Sequence, residues 1–173
     1  RAKDYMNAQT VNLNEDDRFA GRIKFTDEQF TGIIFTRYGF KHYNELGDEF
    51  YKKPYNNLNS VDAQHSTPDY AGVLKSGLVG IKEKIRQSKE CHLNEPSKID
   101  YLNALDVVVD GMLDWENKCA DACFEHALNA STPERKKELI EMGEILKKVP
   151  ANPPSSFREA IQSLYFLFQF FLC

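Results

Sequence analysis

With 173 residues, 42% of them hydrophobic and 28% charged, the chain is long enough for one domain with a real core and has an ordinary globular make-up. A formal net charge of -4 and the lack of a long basic run argue against a nucleic-acid surface. The four cysteines, Cys91, Cys119, Cys123 and Cys173, sit among apolar or helical residues and suggest no disulfide framework, so a reducing cytoplasmic setting is expected.

The chain opens on Arg1 rather than Met, and "RAKDYMNAQ" lacks the apolar segment of a secretory signal. Residues 1 to about 60 are mixed. "TDEQFTGIIFTRYGFKHYNEL" accommodates a short helix or strand around Ile33 to Tyr43, and "GDEFYKKPYNNLNS" reads as a loop.

From Pro68 the pattern turns helical. Thr67 reads as the N-cap, Pro68 as the first helical position and Asp69 as an acid in the first turn. Tyr70, Val73, Leu74, Gly77, Leu78, Ile81 and Ile85 follow helical spacing. Gly72, Ser76, Gly77 and Gly80 weaken this helix, each glycine by about 1 kcal/mol against alanine. So many small residues predict a close approach to another backbone.

A second helix is predicted from "EPSKIDYL" to about Ala130, with Ile99, Leu102, Leu105, Val109, Met112, Trp115, Cys119, Cys123 and Ala127 along one face. "STPERKKELIEMGEILKKVP" predicts a third, with Thr132 as N-cap, Pro133 at the first position, and Lys147 and Lys148 in the last turn, where cations suit the dipole. "VPANPPSS" is a rigid break, and Ser156 with Glu159 forms a capping-box pattern for the last helix. The final run, "SLYFLFQFFLC", is shorter than the ~20 apolar residues that span a bilayer. Apolar on all sides, it reads as a helix buried in a large protein. Domain boundaries usually fall in polar linkers, so the chain is expected to be a piece of something larger.

Three constellations carry potential chemistry. Cys119, Cys123 and His126 have the spacing C-x3-C-x2-H, which mimics the cysteine motif of radical-SAM enzymes and shares a helix face. That face is also the apolar stripe, and core packing is the commoner use of such cysteines. Asp100, Asp106, Asp110, Asp114 and Glu116 form an acidic line that suits a cation or acid–base work, but such stripes normally face water. "GEILKKVP" is assigned no chemistry. In "DAQHSTPDY", His65 precedes a helix start, where a histidine can exchange a hydrogen bond with a polar substrate group. Asn59, Asp62 and Gln64 add polar groups, and a helix entrance with a surface histidine is the plainer reading.

"HSTPDYAGVLKSGLVGIKEKI" closely resembles the glycyl radical enzymes, the superfamily of pyruvate formate-lyase and the anaerobic glycerol, choline and hydroxyproline lyases, which carry a similar H-x-x-P-D-Y segment. The run from "YLNALDVVVDGMLDWENKCADACFEHALNA" through "VPANPPSSFREAIQSLYF" resembles the next part of the same proteins, in the same order, and "RAKDYMNA" is a shorter echo. The resemblance is good over about residues 60–170 and poor before. It implies that residues 1–173 are part of one pyruvate formate-lyase-like domain, weakly matched over 1–60 and helical over 61–173. It implies a mainly α fragment, the N-terminal helical part of a ten-stranded α/β barrel. In that barrel a thiyl-forming cysteine meets a glycyl radical installed by a separate radical-SAM activase, with no metal in the lyase itself. Neither the radical glycine loop nor the thiyl cysteine loop is matched here, so no catalytic role passes to any cysteine and the fragment is expected to be inactive alone. The resemblance further implies a small polar organic substrate contacted by His65, with Asn59, Asp62 and Gln64 as weaker candidates, and a cytoplasmic homodimer without nucleic-acid or membrane partners. The competing readings are a stand-alone all-α interaction module presenting Phe157 to Phe171, and a helical metal protein built on Cys119, Cys123 and His126.

Overall fold

The computed structural model describes residues 3, 4, 7, 9–22 and 68–171. Over residues 68–171 the regular elements are four helices: α1 Tyr70–Cys91, α2 Pro96–Leu128, α3 Pro133–Leu146 and α4 Phe157–Phe171. The segment around Ile33 to Tyr43 lies outside the described residues.

The helix starts follow from their caps. Asp69, not Thr67, caps α1: its carboxylate accepts the Gly72 N–H at 2.8 Å, and helical structure begins at Tyr70. Aspartate is as good a cap as threonine, and from position 69 its short side chain reaches the third helical amide. Thr132 caps α3 as expected, accepting from Arg135 N at 3.1 Å, with Pro133 just inside. Ser156 accepts the Glu159 N–H at 3.2 Å, and the Glu159 carboxylate reaches back to Ser155 N at 2.5 Å, one residue earlier than a standard capping box. α3 ends at Leu146, so Lys147 and Lys148 fall just beyond its last turn. Lys147 reaches Asp121 on α2 at 2.6 Å, and Lys148 reaches Glu159 on α4 at 2.7 Å.

α3 runs back along α2. Gly143 faces the Phe124 ring, and Lys147 meets Asp121 one turn earlier on α2. Their seam forms the larger core: Trp115, Cys119, Ala120, Cys123 and Ala127 of α2 pack with Leu139, Met142 and Leu146 of α3, Phe166 of α4 and Ala20. A smaller core joins Leu78 and Ile85 of α1 to Leu102 and Val109 of α2 and Leu167 of α4, and Met112 touches both. Each large apolar side chain fully buried here stabilises by about 1.5–3 kcal/mol.

Residues 9–22 form a strap held through its backbone. The Lys118 ammonium donates to the carbonyls of Asn7 and Gln9. Arg135 donates to the carbonyls of Asp17 at 2.8 Å and Asn14 at 3.0 Å. The buried Gln162 amide donates to Ala20 O at 2.7 Å and accepts from Ala20 N at 3.1 Å.

α1 is broken at Gly77, whose φ of 66° and ψ of 173° are non-helical. The two amides that follow leave the helix ladder: Leu78 N donates to Pro150 O at 2.9 Å and Val79 N to Ala151 O at 3.0 Å. A Cβ on Gly77 would sit 2.3 Å from Ala151 O and 2.8 Å from two backbone atoms of Asn152. The predicted backbone approach is therefore made at Gly77, whereas Gly72 and Gly80 face side chains of their own helix.

Two outcomes are expected. Gly77→Ala should lower stability by about 3 kcal/mol, since it forces an L-residue into a glycine-only conformation and against fixed backbone; chemical denaturation midpoints test this. In the folded chain a thiol reagent should modify the exposed Cys91 but reach the buried Cys119 and Cys123 only upon unfolding, as mass mapping with and without denaturant would show.

Candidate functional site

His65, Asn59, Asp62 and Gln64 lie outside the described residues. The other candidates can be followed atom by atom.

Cys119 and Cys123 are fully buried between α2 and α3. Burial pushes both thiols up, Cys123 to about 12 despite the opposing charge of Arg135. A thiol held in its neutral form is a poor metal ligand, because ligation uses the thiolate. His126 is exposed, so the three side chains do not converge. Among the described residues no group of three or more His, Cys, Asp or Glu is placed to hold a metal ion.

The acidic line divides. Asp106 and Asp110 face α1, where Lys82 reaches them at 2.6 and 2.5 Å, and Lys89 joins Asp106 at 2.9 Å. The Lys82 ammonium, with Lys89, holds the Asp106 carboxyl below its usual range. Asp114 pairs with Lys3 at 2.9 Å, and Asp100 is exposed. These carboxylates are partly or fully solvated, and Asp106 and Asp110 knit α1 to α2.

Glu116 departs from the solvated-face reading. It is only 2% exposed. One carboxyl oxygen accepts the Ala151 N–H at 3.1 Å, and the other is buried without a hydrogen-bond partner. Burial pushes this carboxyl up to about 7, against the pull of the Ala151 N–H and the Lys147 charge. Spacing could have singled it out: Glu116 lies four residues after Met112 and three before Cys119, on the apolar stripe of α2, whereas Asp106, Asp110 and Asp114 line another face.

A cavity of about 370 Å³ opens where the strap crosses α2 and α3, lined by Asn14, Glu15, Glu125, His126, Asn129 and Arg135 among others. The guanidinium of Arg135 already serves the strap carbonyls and Glu138. Ser131 donates to Glu15. Of the polar lining, Arg135 and Glu15 are engaged in holding the strap, while Glu125, His126 and Asn129 are exposed.

The buried cysteines and the carboxylates that face α1 thus serve packing and helix pairing rather than converging on one point. The pyruvate formate lyase-like family matches residues 55–172. Isethionate sulfite-lyase of Bilophila wadsworthia (strain 3_1_6) is 38% identical over 104 residues, covering 57% of this chain and 12% of the relative. The chain thus spans about an eighth of that protein's length. A structure concerned with 1,2-propanediol dehydration in Roseburia inulinivorans superposes on 97% of the chain and 27% of its own, with a TM-score of 0.72 at 20% identity. The glycerol-bound B12-independent glycerol dehydratase of Clostridium butyricum gives 0.71 at 19% identity, over 97% of this chain and 28% of that one. At such identities the likeness speaks for the fold, and the four-helix arrangement is that of part of a glycyl radical enzyme. With the family matched over more than half its length, the chain belongs to the pyruvate formate lyase-like family of glycyl radical enzymes.

Proposed function

We propose that this chain is the helical N-terminal part of a glycyl radical lyase or dehydratase that acts on a small polar organic substrate. The observation that carries the reading is the family match across residues 55–172. The names of a sulfite-lyase relative and of a dehydratase of like fold support the reaction class. In this reading a radical-SAM activase installs the glycyl radical on a part of the enzyme beyond these residues. A thiyl radical formed there removes a substrate hydrogen atom, and a bond at the neighbouring carbon breaks. The chain's own contribution is to support and position, and alone it does not turn over substrate. The complete enzyme works as a cytoplasmic homodimer.

His65 is the proposed substrate contact, with Asn59, Asp62 and Gln64 beside it in sequence. An imidazole can donate to or accept from a hydroxyl or oxyanion, which fits a pocket that fixes a small polar molecule through few groups. In the complete enzyme carrying this sequence, His65→Ala should lower kcat/KM on the accepted substrate by about 10–100-fold, the worth of one strong hydrogen bond. The glycyl radical signal in electron paramagnetic resonance should stay at the wild-type level. Anaerobic assays on isethionate, 1,2-propanediol and glycerol after activation provide the readout. An unchanged kcat/KM would remove His65 from the site, and absence of any radical after activation would remove the enzyme reading.

A further inference from the structure

We propose that Glu116 is a proton-controlled latch on the joint between α1, α2 and the turn that follows α3: protonated, it lets residues 148–152 seat firmly in the α1 break, and ionised, it loosens that seat.

The geometry is a single peptide group gripped from two sides. The carbonyl of Pro150 accepts the Leu78 N–H of α1 at 2.9 Å. The N–H of the same peptide, on Ala151, donates to Glu116 of α2 at 3.1 Å. The next carbonyl, Ala151 O, accepts Val79 N at 3.0 Å. Glu116 is therefore the side chain through which α2 holds the turn that fills the break in α1. Its second oxygen is enclosed and has no hydrogen-bond partner. A neutral carboxyl tolerates that enclosure far better than an ionised one, whose buried charge would lack a matching donor.

The charges around it do not supply that donor. Lys147, at the end of α3, acts on Glu116 from a distance, but its ammonium is bonded to Asp121 at 2.6 Å. Lys118, two residues on along α2, is committed to the strap carbonyls. Lys148 and Glu159, from the turn and α4, pair with each other. The titratable neighbour on α2 is the Cys119 thiol, itself held neutral by burial. On α1, the groups that meet the turn are the backbone amides of Leu78 and Val79.

The sign follows from the raised carboxyl, which stands at about 7 in the fold against 4.5 as a free group. The folded state binds the proton more tightly than the unfolded chain. The contribution is complete below pH 4.5 and is lost as pH rises through 7. Between pH 5.5 and 8.5 the opening equilibrium should shift by about tenfold or more.

Amide hydrogen exchange of the 173-residue chain, corrected for intrinsic exchange, reads the joint directly at Leu78 and Val79. Protection there should fall at least tenfold from pH 5.5 to 8.5 in the wild type and stay level in Glu116→Gln, whose uncharged amide mimics the protonated acid. Protection that is flat in the wild type, or that falls equally in Glu116→Gln, overturns the proposal. Should the variant fail to fold, the carboxyl 13C shift of Glu116 in the wild type decides. A midpoint near 7 sustains the latch, and one near 4.5 overturns it.

Discussion

In an unbroken helix the amides of Leu78 and Val79 would bond to carbonyls four residues earlier on α1. At Gly77 they are released and given to Pro150 and Ala151 instead. An α-helix can lend interior amides to another segment only where it breaks, and this backbone conformation is open essentially to glycine alone. The exchange keeps both amides bonded while docking the turn after α3 directly on α1. From the same turn, Lys148 reaches the start of α4 and Ala151 reaches Glu116 on α2. The turn after α3 therefore contacts α1, α2 and α4.

A second device works in the opposite sense, with side chains capturing backbone. Among the described residues, side chains meet carbonyls of the strap over residues 9–22: Lys118, Arg135 and Gln162 donate to them. Gln162 is 2% exposed and uses both ends of its amide on Ala20, as a neighbouring strand would. That contact seals Ala20 and Phe166 into the larger core. Buried polar groups of this kind are tolerable because each finds a fixed partner.

The helices were legible because their signals are local. Apolar periodicity located α2, and every position assigned to its inner face, from Ile99 to Ala127, is buried or half-buried. The proline and threonine before α3 marked its start within a residue, and the clustered glycines of α1 foretold a backbone contact without naming the partner. The errors share a cause. Thr67 and Asp69 are equivalent caps by type, and only the tertiary path chooses between them. Glu116 groups with the solvated acids by residue type, although its position, four residues after Met112 and three before Cys119, lies on the apolar stripe of α2. The strap is invisible because backbone carbonyls carry no residue code, and the glutamine, lysine and arginine that hold it look like ordinary surface residues. His65 and its neighbours rested on resemblance, and the described residues do not reach them.

The division of labour in the proposed enzyme follows from where the polar chemistry is spent. In the described part, the carboxylates of α2 that face α1 are matched to Lys82 and Lys89, and the core cysteines are held as neutral thiols. Arg135 and Glu15 of the cavity lining serve the strap. His65 stands five residues before Tyr70, and Tyr70 stands seven residues, roughly 10 Å of helix, before the fixed point at Gly77. A helix pinned at its break and capped at Asp69 has little freedom to swing at its head. If the residues leading into α1 touch substrate, the accuracy of that contact is inherited from the joint at Gly77 and the turn it receives.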